Sequence, residues 1–345
     1  MNNSFDINGV GIPNGQYFGF PFSLDEADLV YLSIPWDATT SYGKGTSHGP
    51  EAILEASTQL DFFDPCVPKA WNYKRATIPV DQDIAVKNAE ARKWAKMVSD
   101  SHCGETPLDA DVVEKLTGKV NSACTELNNY VYQEAKRWLN KNKWIGLVGG
   151  DHGAPLGLMK AVAEVYPGVG ILQIDAHADL RNSYEGFTYS HASIMYNALQ
   201  LKGIANLTQV GIRDLSPQEA ARIDEDGRIR TFFDWDLSEQ QYQGKLWSRI
   251  CEEISRSLPE NVYISFDIDG LAPYLSPDTG TPVPGGLTFN QVLYLLYYIV
   301  ESGKKIVGFD LCEVAPEENG EWNANVGARI LYRLSNLLFL SQNFG

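Results

Sequence analysis

Val169-Gly170-Ile171-Leu172-Gln173-Ile174-Asp175-Ala176-His177-Ala178-Asp179 is the stretch on which the fold turns. Its first six residues are mostly apolar, and an acid, a histidine and a second acid follow at once. A strand this apolar is one covered on both faces, as in a parallel sheet. Side chains alternate along a strand, so Asp175, His177 and Asp179 share one face. In an open α/β sheet, ligands bind at the carboxyl ends of the strands.

The same pattern recurs on either side. Trp144–Val148 is apolar and runs into Gly149-Gly150-Asp151-His152-Gly153. Tyr263-Ile264-Ser265-Phe266 ends in Asp267-Ile268-Asp269, again with a period of two. Further strands are read at Leu29–Ile34, Leu207–Ile212, Val262–Ile268 and Lys305–Phe309. Helical patterns lie at Pro155–Val165, Ser216–Ile223, Tyr242–Ser257, Thr288–Glu301 and Asn323–Leu340. This alternation predicts a three-layer α/β fold, a central mostly parallel sheet flanked by helices.

No repeat, low-complexity tract or linker divides the chain. The expectation is an N-terminal extension over residues 1–27 and one domain over 28–345. Residues 66–119 are the least legible and read as insertion-like, with a helix at Ile84–Val98 and a loop at Asp100–Thr106.

Of the 345 residues 28 are basic and 44 acidic, a net charge of −16. That balance argues against nucleic acid and anionic membranes as partners and is compatible with a cationic substrate. The longest apolar run, near Val292–Val300, falls well short of the ~20 residues of a membrane span. Met1-Asn2-Asn3-Ser4 lacks the basic start of a secretory signal, so a cytoplasmic location is expected. The cysteines Cys66, Cys103, Cys124, Cys251 and Cys312 are scattered, with no C-x-x-C, which fits free thiols in a reducing compartment.

Leaving Asp151 aside, two histidines and four aspartates thus stand at the ends of three strands. One strand-end Asp is most often a helix cap. Four packed carboxylates repel one another and need a compensating cation. A pair of divalent ions supplies it, and carboxylates with one imidazole per ion suit Mn²⁺ or a similar metal. Two such ions can share and acidify a water.

These segments, together with Gly308–Pro316, Thr279–Thr288, Pro35-Trp36-Asp37 and Gly49–Ile53, resemble the ureohydrolase superfamily, the arginase-like fold of arginases, agmatinases, guanidine and guanidino-acid hydrolases and formimidoylglutamases. The resemblance implies two Mn²⁺ per chain, with Ni²⁺ as the alternative of the guanidine-hydrolysing branch. It implies His152, Asp175, Asp179 and Asp267 as ligands of one ion, and His177, Asp175, Asp267 and Asp269 as ligands of the other. Asp151 is expected to orient His152. A hydroxide shared by the ions would attack the guanidinium carbon, with Asp269 handling proton transfer and urea leaving with an amine or ammonia. His191, in Tyr189-Ser190-His191-Ala192-Ser193, is similar to the family's proton-shuttling loop histidine. Glu313 is similar to the carboxylate that pairs with the substrate guanidinium.

Trp36-Asp37-Ala38-Thr39-Thr40-Ser41-Tyr42-Gly43 and the N-terminal extension look closest to the guanidine and guanidino-acid hydrolases, which puts Trp36, Thr39 and Thr40 in a small substrate pocket. Tyr184-Glu185-Gly186 and Tyr189–Ser193 look more like agmatinases. His48 is read as pocket lining and His102 as surface. Arg181 stands where arginases carry an amide, which ranks agmatine or a small guanidino compound above arginine. Ala272 replaces an acid usual in the family, a change expected to spare the metal ligands and to loosen the loop or alter its charge. The alternatives are formimidoylglutamase or arginase activity, and an inactive relative acting as a binding protein. Family members form trimers and hexamers, so a homo-oligomer is expected.

Overall fold

The computed structural model describes residues 5–40, 43, 45–318 and 320–342. Ser41, Tyr42 and the first four residues, all used in the sequence reading, lie outside the described residues. The strands are β1 (Leu29–Ile34), β2 (Arg75–Ile78), β3 (Trp144–Gly149), β4 (Val169–Ile174), β5 (Ile204–Ile212), β6 (Ile229–Phe233), β7 (Asn261–Asp267) and β8 (Lys305–Cys312). They form one sheet in the order β2-β1-β3-β8-β7-β4-β5-β6, and every pairing is parallel.

Strand alternation makes two cores from one sheet. Leu29 and Tyr31 of β1 face one core while Val30, Leu32 and Ile34 face the other. The helices are α1 (Gly49–Ser57), α2 (Gln82–His102), α3 (Ala110–Leu139), α4 (Leu156–Val165), α5 (Ile194–Ala198), α6 (Pro217–Glu225), α7 (Asp234–Tyr242), α8 (Trp247–Arg256), α9 (Phe289–Glu301) and α10 (Trp322–Ser341). Residues of α1, α8, α9 and α10 build the first core, and residues of α2 to α5 build the second. The predicted three-layer α/β architecture is therefore the one observed. Among the described residues, no helix is long and apolar enough to cross a membrane.

The differences have local causes. The two strands the sequence did not reveal, β2 and β6, are the short edges of the sheet. Strand β2 opens with Arg75, whose buried guanidinium lies among the rings of Phe20, Tyr73, Tyr332 and Phe339. The helix expected over Tyr242–Ser257 is instead the end of α7 and all of α8, separated at Gly244, whose φ of 89° is left-handed. The loop expected at Asp100–Thr106 starts later, because α2 continues through His102. Residues 66–119 hold β2, all of α2 and the start of α3. Helix α3 buries Leu116, Val120, Cys124, Leu127, Val131, Ala135 and Trp138 at the three- and four-residue spacing of a helix stripe.

Candidate metal centre

The order β3-β8-β7-β4 brings four strand ends side by side. Gly150 lets the chain leave β3 against β1, since a Cβ there would lie 2.0 Å from Trp36 O. Asp151 N donates to that same carbonyl at 2.7 Å. After β4, Asp175 Oδ1 accepts His177 N at 2.6 Å, and after β7, Asp267 Oδ1 accepts Asp269 N at 2.9 Å. These local turns keep the alternating acids pointing the same way. Asp269 Oδ1 accepts Ala176 N at 3.0 Å and joins the two loops. Asp179 and Glu313 hold left-handed backbone at φ 53° and 62°, a strained state that clusters at functional sites.

The side chains converge. His152 Nδ1 lies 3.0 Å from Asp175 Oδ2, 3.0 Å from Asp179 Oδ2 and 3.4 Å from Asp267 Oδ2. His177 Nδ1 lies 3.0 Å from Asp269 Oδ2 and 3.7 Å from Asp175 Oδ1. Ligand atoms of His152, Asp175 and Asp267 fall within 4.8 Å of one another, and so do those of Asp175, His177 and Asp269. Asp175 belongs to both sets. Despite its three acidic neighbours, His152 Nδ1 is buried without a hydrogen bond of acceptable geometry among the described residues. A nitrogen lone pair and several carboxylate oxygens facing one small volume fit a divalent cation.

Without a cation, protons must balance this charge. Burial alone would lower the His177 imidazole, but Asp269 and Asp175 push it up to about 12. His152 is likewise carried well above its ordinary value, against its burial, by Asp175, Asp179 and Asp267. Burial and the Asp175 charge raise Asp179 to about 7. Burial and the charges of Asp269 and Asp175 raise Asp267 well above the usual carboxylate range.

The sequence reading assigned Asp151 to orient His152, and the structure corrects this. Asp151 accepts instead from Gly153 N at 3.0 Å and Thr39 Oγ1 at 3.2 Å. His152 Nε2 meets Ser265 Oγ at 2.8 Å, and Ser265 donates to Asp310 at 3.0 Å. Ser265 and Asp310 were not singled out, although Ser265 shares a strand face with Asp267 two residues on, and Asp310 is its register partner on β8. Arg213 was also missed. Its backbone N donates to Ala176 O at 2.8 Å, and its guanidinium donates to Asp269 O at 2.7 Å and Leu271 O at 3.1 Å. With Ala272 N bonded to Leu287 O at 2.9 Å, the loop around Ala272 is tied down rather than loosened.

Glu313 is buried beside the cluster. Its Oε1 accepts His152 N at 2.9 Å, while no donor among the described residues reaches Oε2. Burial, with Asp151 adding to it, raises its carboxyl well above the ordinary range. His191 and His177 line one cavity of about 180 Å³, with Asp179, Arg181, Tyr184 and Thr281. Burial, with His177 and His152 nearby, pushes the His191 imidazole down to about 4.

Trp36, Thr39 and Thr40 lie outside that lining. Trp36 is 2 % exposed and packs in the core. Thr39, also buried, bonds Asp151 and accepts His191 N at 3.3 Å. Thr40 Oγ1 donates to Asp37 O at 2.6 Å and accepts from Arg92 Nη1 at 2.6 Å. The side chains of Thr39 and Thr40 are thus engaged with Asp151, His191, Asp37 and Arg92, and that of Trp36 with the core. His48 lines a separate, larger cavity with Asp37, Asn88 and Arg92.

Comparison with known proteins places the chain in a family. The arginase family model matches residues 27–335. An N(1)-aminopropylagmatine ureohydrolase of Thermus thermophilus is 32 % identical over 315 residues, 91 % of each chain. An agmatinase of Bacillus subtilis is 29 % identical over 312 residues, 89 % of this chain and 90 % of that one. The crystal structure of an agmatine ureohydrolase of Thermoplasma volcanium superposes with a TM-score of 0.69 at 23 % identity, covering 94 % of both chains. With the fold, the strand-end cluster and these matches in agreement, the chain belongs to the arginase family.

Proposed function

We propose that the chain hydrolyses a carbon–nitrogen bond of a small cationic guanidino compound and releases urea with an amine or ammonia. As a member of the arginase family it is a hydrolase acting on linear amidines at a binuclear metal site. The observation that carries the reading is the pair of overlapping ligand sets sharing Asp175, with Glu313 Oε2, unpaired among the described residues, beside them.

In this reading His152, Asp175, Asp179 and Asp267 hold one ion, and His177, Asp175, Asp267 and Asp269 hold the other. When bound, two divalent ions supply the charge that makes a water nucleophilic near neutral pH. Glu313 Oε2 accepts from the guanidinium and fixes its plane. Asp269, hydrogen-bonded to the Ala176 amide, takes up and returns the proton. His191 lines the same cavity as His177, within reach of the place where it would hand a proton to the leaving amine. Thr39 holds the His191 backbone rather than the substrate.

Agmatine, guanidine and related short guanidino compounds rank first, supported by the acidic cluster and by relatives named for agmatine and aminopropylagmatine. Formimidoylglutamate is the second reading, because Arg181 in the cavity wall could meet an acidic tail. Arg181 is held 3.6 Å from Glu219, which offsets its charge and favours the first reading. The metal is Mn²⁺ by default and Ni²⁺ otherwise. The enzyme works in the cytoplasm as a homo-oligomer, a trimer or hexamer, with no nucleic-acid or membrane partner.

The test is urea release by purified protein loaded with Mn²⁺ or with Ni²⁺, across a panel of guanidino compounds. About two ions per chain and urea from one cationic member are expected. Formamide or ammonia from formimidoylglutamate, with no urea from any member, would overturn the assignment.

A further inference from the structure

The two helices that fill the poorly legible region reach the loops beside the metal cluster. Tyr184 N bonds Phe187 O at 3.2 Å, and Phe187 N bonds Tyr184 O at 2.8 Å, closing a two-residue turn. Its central residues, Glu185 and Gly186, have φ of 54° and 87°. Left-handed backbone at both positions defines a type I′ turn, which favours Asn, Asp or Gly first. Glu185 has no such preference, so the turn needs support from outside.

That support comes from α2 and α3. Ser99 Oγ donates to the Glu185 carboxylate. Asn121 Nδ2 donates to Gly186 O at 3.1 Å, and Thr188 N donates to Asn121 Oδ1 at 2.9 Å. One amide side chain thus grips the turn on both sides of Phe187. Gly186 lies flush on α3, where a Cβ would meet the Thr117 methyl at 3.0 Å.

The turn carries a wall of the cavity. The Tyr184 ring stands edge-on to the His191 imidazole with centroids 6.1 Å apart, and the Arg181 guanidinium lies 5.0 Å from the same ring. The other side of His191 is held through Thr39, and α2 fixes that loop as well. Asn88 exchanges two 2.9 Å hydrogen bonds with Asp37, and Arg92 pairs with Asp37 at 3.1 Å.

We propose that Asn121, assisted by Ser99, is a positioning residue that holds the strained Tyr184–Phe187 turn and thereby sets Tyr184 against His191 beside the metal cluster. The proposal rests on the reading of His191 as the residue that hands a proton to the leaving amine. Asn121 touches no substrate and acts only through the turn.

The test compares Asn121→Ala, Asn121→Asp and His191→Asn in metal-loaded enzyme, alone and combined. Asn121→Ala should lower kcat by up to about a hundredfold with little change in KM, the scale expected when a reacting group is displaced by about 1 Å. Metal content should stay at the wild-type level, and amide exchange should accelerate in residues 181–193. Asn121→Asp keeps the acceptor for Thr188 N and should lose less. Glu185→Gly added to Asn121→Ala should restore most of kcat, because glycine adopts the turn unaided. In a His191→Asn background Asn121→Ala should cost nothing further.

An Asn121→Ala enzyme with wild-type kcat while His191→Asn is slow would overturn the proposal alone. Equal losses in both backgrounds, or no rescue by Glu185→Gly, would do the same. Wild-type kcat in His191→Asn would overturn the His191 reading and the proposal together.

Discussion

Ser265 Oγ lies 2.8 Å from His152 Nε2, and this contact decides which ring nitrogen faces the carboxylates. Ser265 gives its own proton to Asp310, so in the neutral imidazole that binds a metal it accepts from Nε2–H and leaves the Nδ1 lone pair free. Outer partners of this kind typically change metal affinity ~10–100-fold when removed. Ser265→Ala should therefore weaken metal binding by about that factor, read by chelator competition. Unchanged affinity would show that the tautomer is fixed some other way.

Glu313 offers one oxygen to the His152 amide and, among the described residues, keeps the other unpaired. Glu313→Gln preserves shape and the first bond while removing the charge. Loss of one partner of a buried ionic hydrogen bond costs about 2–5 kcal/mol. The expected result is a raised KM and a kcat/KM lower by roughly a hundredfold or more, with metal content unchanged. A variant as active as wild type would remove Glu313 from guanidinium binding.

Metal loading should release protons. In the cation-free protein His177 is pushed up to about 12 and His152 well above its ordinary value, so both are protonated at neutral pH. For His177 this raised value stabilises the cation-free fold fully below about 6.5, and the gain is lost as pH rises toward about 12. Metals need neutral imidazoles, so apparent affinity should rise about tenfold per pH unit for each proton displaced. Chelator titrations at pH 6, 7 and 8 measure the slope. An affinity independent of pH would contradict the cluster's charge balance.

Gly150 sits where a Cβ would lie 2.0 Å from Trp36 O and 2.7 Å from Trp36 C. Both are backbone atoms with little room to move. Gly150→Ala should destabilise the fold by about 3 kcal/mol or more. It should also weaken metal binding, because His152 follows two residues later. The denaturation midpoint reads the first effect, and a midpoint matching wild type would mean that β1 and β3 can separate there.

The residues legible in the sequence were those whose chemistry is written in a short spacing. Strand alternation gave Asp175, His177 and Asp179 one face; in the structure they follow the end of β4, where turns bring them within reach of His152, Asp267 and Asp269. Trp36, Thr39 and Thr40 were read into a pocket by resemblance alone. Their side chains point into the core, Asp151 and Asp37, a direction set by α2 packing on the loop. Helix α3 carried a regular apolar stripe that was legible in principle, whereas β2, with an arginine inside four aromatic rings, was not.

By itself the sequence determined the α/β class, the parallel strands and the acids and histidines at their ends, because burial on both faces and a period of two are local properties. The tertiary structure alone decided which strand ends become neighbours, through the order β3-β8-β7-β4. It alone turned His152 with Ser265 and Asp310, clamped the Asp269 turn with Arg213, and seated the Tyr184 turn on Asn121. Each of those contacts joins residues at least 45 positions apart, where no spacing rule operates and only packing sets the distance.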